Sequence, residues 1–552
     1  MSTAMRLAAA FILFCVAVFG DRPPKLARDL QSVDPNRDVD VIIQFKQSLS
    51  DKMNGKVSGR GGSVRAQFNR MRAGLYRLKG RELKALSDDD DVVHISPDRR
   101  LKGALDHAKA TLNASTAYSS GYDGTGVGVA VLDSGVNSSQ DFYQKNSTKS
   151  RIVYSESFTA EGVTDGYGHG VHVAGIIGGN GNISNNYNSS HFYGIALNAN
   201  IINLKVLDSN GVGTDSQAIA AIQRAIDLKA TYNIRVMNLS FGRPVYESYT
   251  VDPLCQAVEA AWQAGIVVVV AAGNEGRNDS QGTDGYGTIT APGNDPYVIT
   301  VGATNMKGSS SRSDDVLTSY SSKGPTVIDH IVKPDVVAPG NRVGSLRAAG
   351  STLDSNYPDN RVCLSWSSSS CAYFRLSGTS MAAPMVSGTV ALMLQKDPSL
   401  TPDTVKARLM KTATKAFPSY TVVTDAVTGQ TYVVEYNTFT VGSGYVDTWA
   451  ALNSSDVATG STQSPAALYN TATHQVSLVN GLGVIWGSGV IWGNGLIWGS
   501  AVDDYGVIWG SGIIWGSGGS VSGTGLIWGS GLIWGSDSPA VESRSVAGGG
   551  EN

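Results

Sequence analysis

Val127-Gly128-Val129-Ala130-Val131-Leu132-Asp133-Ser134-Gly135 is a run of small and β-branched apolar residues that stops at an acid. Short, continuously apolar and closed by Ser-Gly, it reads as a strand buried on both faces, the kind found in parallel sheets. Comparable runs predict strands over 126–132, 200–207, 236–240, 266–271 and 297–304. Between and after them, helical periodicity predicts helices over 169–177, 216–232, 253–264 with Gly265 as stop, 380–394 and 402–412. This alternation from about 108 to 455 predicts an α/β fold with a doubly wound, mainly parallel sheet. Ligands of such sheets bind beyond the carboxyl ends of the strands, where Asp133 is expected.

The stretch Ser377-Gly378-Thr379-Ser380-Met381-Ala382-Ala383-Pro384 places a hydroxyl among very small residues, ahead of an apolar helical run. Ser380 at the start of that helix has unpaired backbone N–H groups beside it, which suit a developing oxyanion. Pro384 is compatible with a helix start. A nucleophilic serine needs a base, and the base needs an orienting acid. Gly168-His169-Gly170-Val171-His172 offers the base and Asp133 the acid. Taken singly, each residue has an ordinary reading: Asp133 as a turn cap, His169 with His172 as half of a metal site, Ser380 as an N-cap. Taken together they fall in the order Asp, His, Ser, which among convergent triads is that of subtilisin.

With those three motifs the chain resembles the subtilisin-like serine proteases. The resemblance implies a serine endopeptidase with Asp133, His169 and Ser380 as triad. Asn274, in Ala271-Ala272-Gly273-Asn274-Glu275-Gly276, matches the family's oxyanion-hole amide. Ser240-Phe241-Gly242 and Ala271-Ala272-Gly273 match the segments lining the pocket for the residue before the scissile bond, and 210–213 matches the edge that pairs with extended peptide. Recognition through backbone hydrogen bonds implies broad specificity. The neutral Thr290 and the lack of an acid in those segments favour apolar or aromatic side chains. Val171 stands where the family usually has Thr. No cofactor is implied for the chemistry. Structural calcium occurs in the family, and Asp141, read as an exposed turn acid, is the one position that carries over as a ligand.

Residues 21–106 are rich in Arg, Lys and Asp and read as a small α+β domain. Strands are expected over 39–45, 75–78 and 92–95, a helix over 82–86, and a helical face made by Val64, Phe68 and Met71. Its place implies the family's inhibitory propeptide, an unrelated binding domain being the alternative. Residues 1–20, with Arg6 before an apolar run too short for a bilayer, read as a secretory signal peptide. No later run reaches membrane-spanning length. The 552 residues carry 16% charged side chains and a net charge of −3, which supplies no electrostatic footprint for nucleic acid. Of the cysteines beyond the signal segment, Cys363 and Cys371 are expected either to bridge or, with Cys255, to remain free thiols.

The protease resemblance closes near 455, and 456–552 form a Gly- and Trp-rich tail. A six-residue unit, aliphatic-Ile-Trp-Gly-Ser/Asn-Gly, recurs at Trp486, Trp492, Trp498, Trp509, Trp515, Trp528 and Trp534. An even period places every tryptophan of an extended chain on one face, so the tail is expected to bind a surface or associate with itself, a tail without fixed fold being the alternative.

Overall fold

The computed structural model describes residues 25–98 except 28 and 29, 100–103, 112–186, 192–307, 312, 314–364, 371–425, 429–470, 475–479, 490–492, 496–499 and 513–516. The expected signal segment at 1–20 and the tail units at Trp486, Trp509, Trp528 and Trp534 lie outside them.

The apolar runs become a mainly parallel sheet. Across it the strands lie in the order Ile299–Asn305, Val267–Ala271, Ile234–Leu239, Gly128–Asp133, Asn200–Lys205, Ile152–Ser157. Val316–Leu317 and Val336–Pro339 both pair with Ile299–Asn305, the first antiparallel and the second parallel. Gly128–Asp133 is the first of these strands in the chain and sits in the middle. From it the chain goes to the edge strand Ile152–Ser157, returns to Asn200–Lys205 beside it, then crosses to Ile234–Leu239 and runs outward on the other side. That reversal is the switch point where α/β sheets open a crevice, and Asp133 ends the strand there. All six residues of Gly128–Asp133 are buried, as a central strand covered by helices on both faces requires.

Helix limits follow local chemistry. Thr214 caps Asp215–Asp227 in a reciprocal box with Gln217. Asp252 caps Pro253–Gln263, with proline in the first turn, and Gly265 at φ 82° takes the left-handed turn that ends it. The helix expected over 216–232 divides at Leu228 into Asp215–Asp227 and a single turn, Lys229–Tyr232.

Residues 38–97 form an antiparallel sheet in the order Ser63–Phe68, Ala73–Lys79, Asp38–Phe45, Val92–Pro97, with helices Asp51–Ser58 and Glu82–Ser87. The helical face expected for Val64, Phe68 and Met71 is corrected: Ser63–Phe68 is a strand, followed by a single 3-10 turn at Asn69–Met71. A spacing of four residues satisfies both one helical turn and two strand repeats, and pairing with Ala73–Lys79 decides for the strand. Val41, Ile43 and Phe45 face this unit's own core, while Ile42, Phe68 and Ala73 join the large core of the α/β body.

The boundary expected at 455 falls too early. Pro465 O accepts from Val332 N–H, and Ala467 N–H donates to His330 O. The Ser464 hydroxyl reaches the Asp335 carboxylate and lies 2.9 Å from Lys406 Nζ, both groups fully buried. Residues assigned in sequence to the tail thus supply the polar partner that buried charges require. A hairpin, Ala466–Asn470 with Gln475–Val479, follows. In the tail, Leu496–Gly499 pairs antiparallel with Val490–Trp492 and parallel with Ile513–Gly516, placing Trp498 opposite Trp515. Cys363 and Cys371 form a disulfide, and the buried Cys255 thiol donates to Asn294 Oδ1 at 3.3 Å.

Candidate active site

Three elements bring the predicted residues together: the end of strand Gly128–Asp133, the start of helix Gly170–Gly178, and the start of helix Thr379–Lys396, which packs on both. His169 precedes its helix between two glycines that the geometry demands. Gly168 holds φ 102°, and a Cβ at Gly170 would lie 2.2 Å from Gly135 O and 3.2 Å from the Asp133 Cβ. This close approach lets His169 Nδ1 meet Asp133 Oδ1 at 2.7 Å, both side chains buried. A carboxylate on Nδ1 fixes the tautomer that leaves Nε2 as the base.

Ser380 is the second residue of its helix, so its backbone N–H belongs to the unpaired first turn. Its hydroxyl donates to Ser240 O at 3.0 Å. Pro384 stands deeper in the helix than expected, where its missing N–H would have bonded Ser380 O. That carbonyl instead accepts the Ser240 hydroxyl at 2.8 Å, and Asn238 Nδ2 donates to the same hydroxyl at 2.8 Å. Ser240, expected only as pocket lining, therefore braces the nucleophile from both its backbone and its side chain. Ser240→Ala leaves a buried carbonyl unpaired. It should lower stability by about 1–3 kcal/mol, read as an earlier urea midpoint with an unchanged slope.

Asn274 Oδ1 accepts from Thr379 N–H at 2.9 Å and from the Thr379 hydroxyl at 3.1 Å. With its oxygen so held, the amide NH₂ is left to donate, as an oxyanion hole requires. Thr379 was not singled out in the sequence; its position next to the nucleophile was the only signal. Gly242 and Gly273 stand on either side of Thr290. A Cβ at Gly242 would meet Thr290 Oγ1 at 2.4 Å, and one at Gly273 would meet Thr290 Cγ2 at 2.8 Å. Ala271 and Ala272, both buried, lead into that wall, and Phe241 follows Ser240.

The strand Arg100–Gly103 runs between two edges of the body, antiparallel to both. Arg100, Leu101 and Lys102 face Thr214, Gly213 and Val212. Lys102 and Gly103 face Gly242 and Phe241. An extended segment thus pairs with two edges of the body, one of which follows directly on Ser240, the residue that accepts the Ser380 hydroxyl.

The chain belongs to the subtilase family. The model of the Subtilase family matches residues 124–472. Over 393 residues the chain is 35% identical to serine protease AprX of Bacillus subtilis, covering 68% of this chain and 82% of that protein. It is 33% identical over 380 residues to subtilisin E of Bacillus subtilis, covering 68% and 84%. Among solved structures it is similar to fervidolysin from Fervidobacterium pennivorans, a keratinolytic enzyme related to subtilisin. There the TM-score is 0.57 at 20% identity, covering 78% of this chain and 63% of that one, a likeness of fold. This subtilase is a subtilisin-like serine endopeptidase.

His172 does not join His169 in a metal pair: its Nε2 serves Val343 O and Phe374 O, and burial pulls its pKa down to about 3. Asp141 is corrected from an exposed turn acid to a buried one. Its carboxylate accepts Ile183 N–H and the Tyr373 hydroxyl, both at 2.7 Å. The Arg151 guanidinium donates to Asp141 O, Gly178 O and Ala199 O beside it. A fixed cation and satisfied carboxylate oxygens do not fit a calcium there, and no group of three His, Cys, Asp or Glu is placed to hold a metal ion among the described residues.

Proposed function

We propose that the chain is made as a secreted precursor, that residues 21 to about 103 inhibit the protease until cut away, and that the mature enzyme hydrolyses polypeptides with broad specificity. The observation that carries this reading is the strand Arg100–Gly103 held between Val212–Thr214 and Phe241–Gly242. Substrate peptide bound by the same two edges is read through its backbone, which tolerates many sequences. The α+β unit has a broad footing of its own on the body. Glu247 takes the His94 imidazole and, at 2.6 Å, the Ser96 hydroxyl. Asp98 accepts from Ser216 N–H at 2.6 Å at the start of helix Asp215–Asp227. Gln44 Nε2 donates to Val251 O at 2.6 Å. Contacts of this kind keep a cleaved unit bound, as an inhibitor must be.

Thr290, against which both Gly242 and Gly273 stand, is neutral, which supports apolar or aromatic side chains at that subsite over basic ones. No helix among the described residues is long and apolar enough to cross a membrane. Secretion rests on the signal-like 1–20. The rival reading gives the repeat tail the leading role, as a surface-binding or self-associating element with the protease ancillary. It is tested by truncation after Val479 rather than after Ser455, because Ser464 is tied into the buried Lys406–Asp335 cluster. The truncated enzyme is expected to keep small-peptide turnover within about twofold and fluorophosphonate labelling of Ser380, while losing retention on insoluble material or self-association, since every catalytic group lies upstream. Loss of labelling on truncation would make the tail part of the catalytic body.

A further inference from the structure

We infer that Asp165, a buried carboxylate behind the triad, is a positioning residue that sets the place and basicity of His169 through Ser134. Asp165 stands four residues before His169 and is 4% exposed. Its Oδ1 accepts from Gly168 N–H at 2.6 Å, Tyr167 N–H at 3.1 Å and the Ser134 hydroxyl at 2.8 Å. Its Oδ2 accepts from Val171 N–H at 2.8 Å. One side chain thus holds the backbone on both sides of His169. It also takes the capping place at a helix whose own N-cap residue, His169, makes no capping bond with its side chain.

Ser134 carries the connection to the acid of the triad. Its hydroxyl oxygen accepts Gly170 N–H at 2.9 Å. Its single proton lies between Asp165 Oδ1 at 2.8 Å and Asp133 Oδ1 at 3.2 Å, and the nearer oxygen takes it. Asp133 Oδ1 keeps the Ser134 N–H at 2.7 Å and His169 Nδ1 at 2.7 Å. The result is a closed path of hydrogen bonds, Asp165 to Ser134 to Gly170 on one side and Ser134 to Asp133 to His169 on the other. A displacement of the 165–168 loop is transmitted to the imidazole by this path, and misplacement of about 1 Å in such a group costs about a hundredfold in rate.

The second carboxylate also acts by charge. The titratable groups about it are Asp133, His169 and Tyr167, and the Lys205–Glu161 ion pair holds the adjoining Thr164 carbonyl. Burial and the Asp133 charge push the Asp165 pKa up, while the Val171 and Gly168 N–H groups and the Ser134 hydroxyl oppose the rise. Four donors aimed at one carboxyl group offset part of that rise by favouring the ionised form. An anion there favours the imidazolium that forms as Ser380 attacks. Removing it lowers the pKa of His169 and extends activity toward acid while weakening the base.

Asp165→Asn, made in the full chain and assayed after maturation, is expected to lower kcat by about tenfold to a hundredfold with KM within about threefold, and to move the acid limb of kcat/KM to lower pH. Ser134→Ala should do the same to a smaller degree, and Ser134→Thr, which keeps the hydroxyl, should restore near-normal turnover. An unchanged kcat and acid limb in Asp165→Asn overturns the inference, whatever happens to thermal stability. Should that variant fail to fold, Ser134→Ala decides: lowered kcat with a shifted limb supports the inference, and a parental profile refutes it.

Discussion

Ser380→Ala, His169→Ala and Asp133→Asn are each expected to remove all but about 10⁻⁴ of peptide-bond turnover or less, with substrate binding nearly kept. The cause is geometric. Asp133 Oδ1 fixes His169 Nδ1 at 2.7 Å, so the only ring nitrogen left to take the serine proton is Nε2. Asparagine at 133 presents an NH₂ that can select the wrong tautomer. The losses should not add, because the three groups act in one step; in a subtilisin, a member of the same family, removing the serine or the histidine alone costs about as much as removing all three, and removing the aspartate alone costs less. Asn274→Ala is expected to retain more, losing about 10²–10³ in kcat, the size known for the equivalent change in a subtilisin. It removes one donor to the oxyanion and leaves the nucleophile and base intact. Rates on a chromogenic peptide and active-site labelling measure both. Near-normal turnover by Ser380→Ala would refute the assignment of the nucleophile.

The wild-type precursor should cut itself shortly after Gly103, and the Ser380→Ala precursor should remain whole. Chain direction and register carry this expectation. Lys102 faces Gly242 and Gly103 faces Phe241, so the ladder advances toward Ser240, whose carbonyl accepts the Ser380 hydroxyl at 3.0 Å. On this register the peptide bonds that follow Gly103 are the ones expected to reach the nucleophile. N-terminal sequencing of the mature enzyme checks the site, and electrophoresis of the two precursors checks the cause. A fully active enzyme that keeps residues 38–97 covalently attached would contradict the inhibitor reading.

Much of the scaffold was legible because the sheet is buried on both faces: Val129 to Leu132, or Val267 to Val270, have no polar residue to make their period ambiguous. The N-terminal unit is half-exposed, and there a four-residue spacing deceived, turning Ser63–Phe68 into a helix. The candidate triad was legible because its residues sit beside glycines and alanines that only a close approach explains. Asp165, Ser134 and Thr379 were not, since an isolated Asp, Ser or Thr in a glycine-rich loop has the composition of any turn.

By itself the sequence determined the alternation that makes the sheet parallel, the order Asp133, His169, Ser380, and the presence of small residues around each, since these depend on period and residue volume along the chain. Only the tertiary structure decided which side chains hold the candidate triad in place, where the body ends beyond 455, why Asp141 is occupied by neighbours rather than open to a cation, and that Arg100–Gly103 pairs with Val212–Thr214 and Phe241–Gly242. Each of those depends on partners distant in the chain, such as Ser240 with Ser380, Ser464 with Asp335, Asp141 with Tyr373 or Lys102 with Val212. Hydrogen bonds and burial across such separations are set by how the layers close on one another, and no local pattern of residues encodes them.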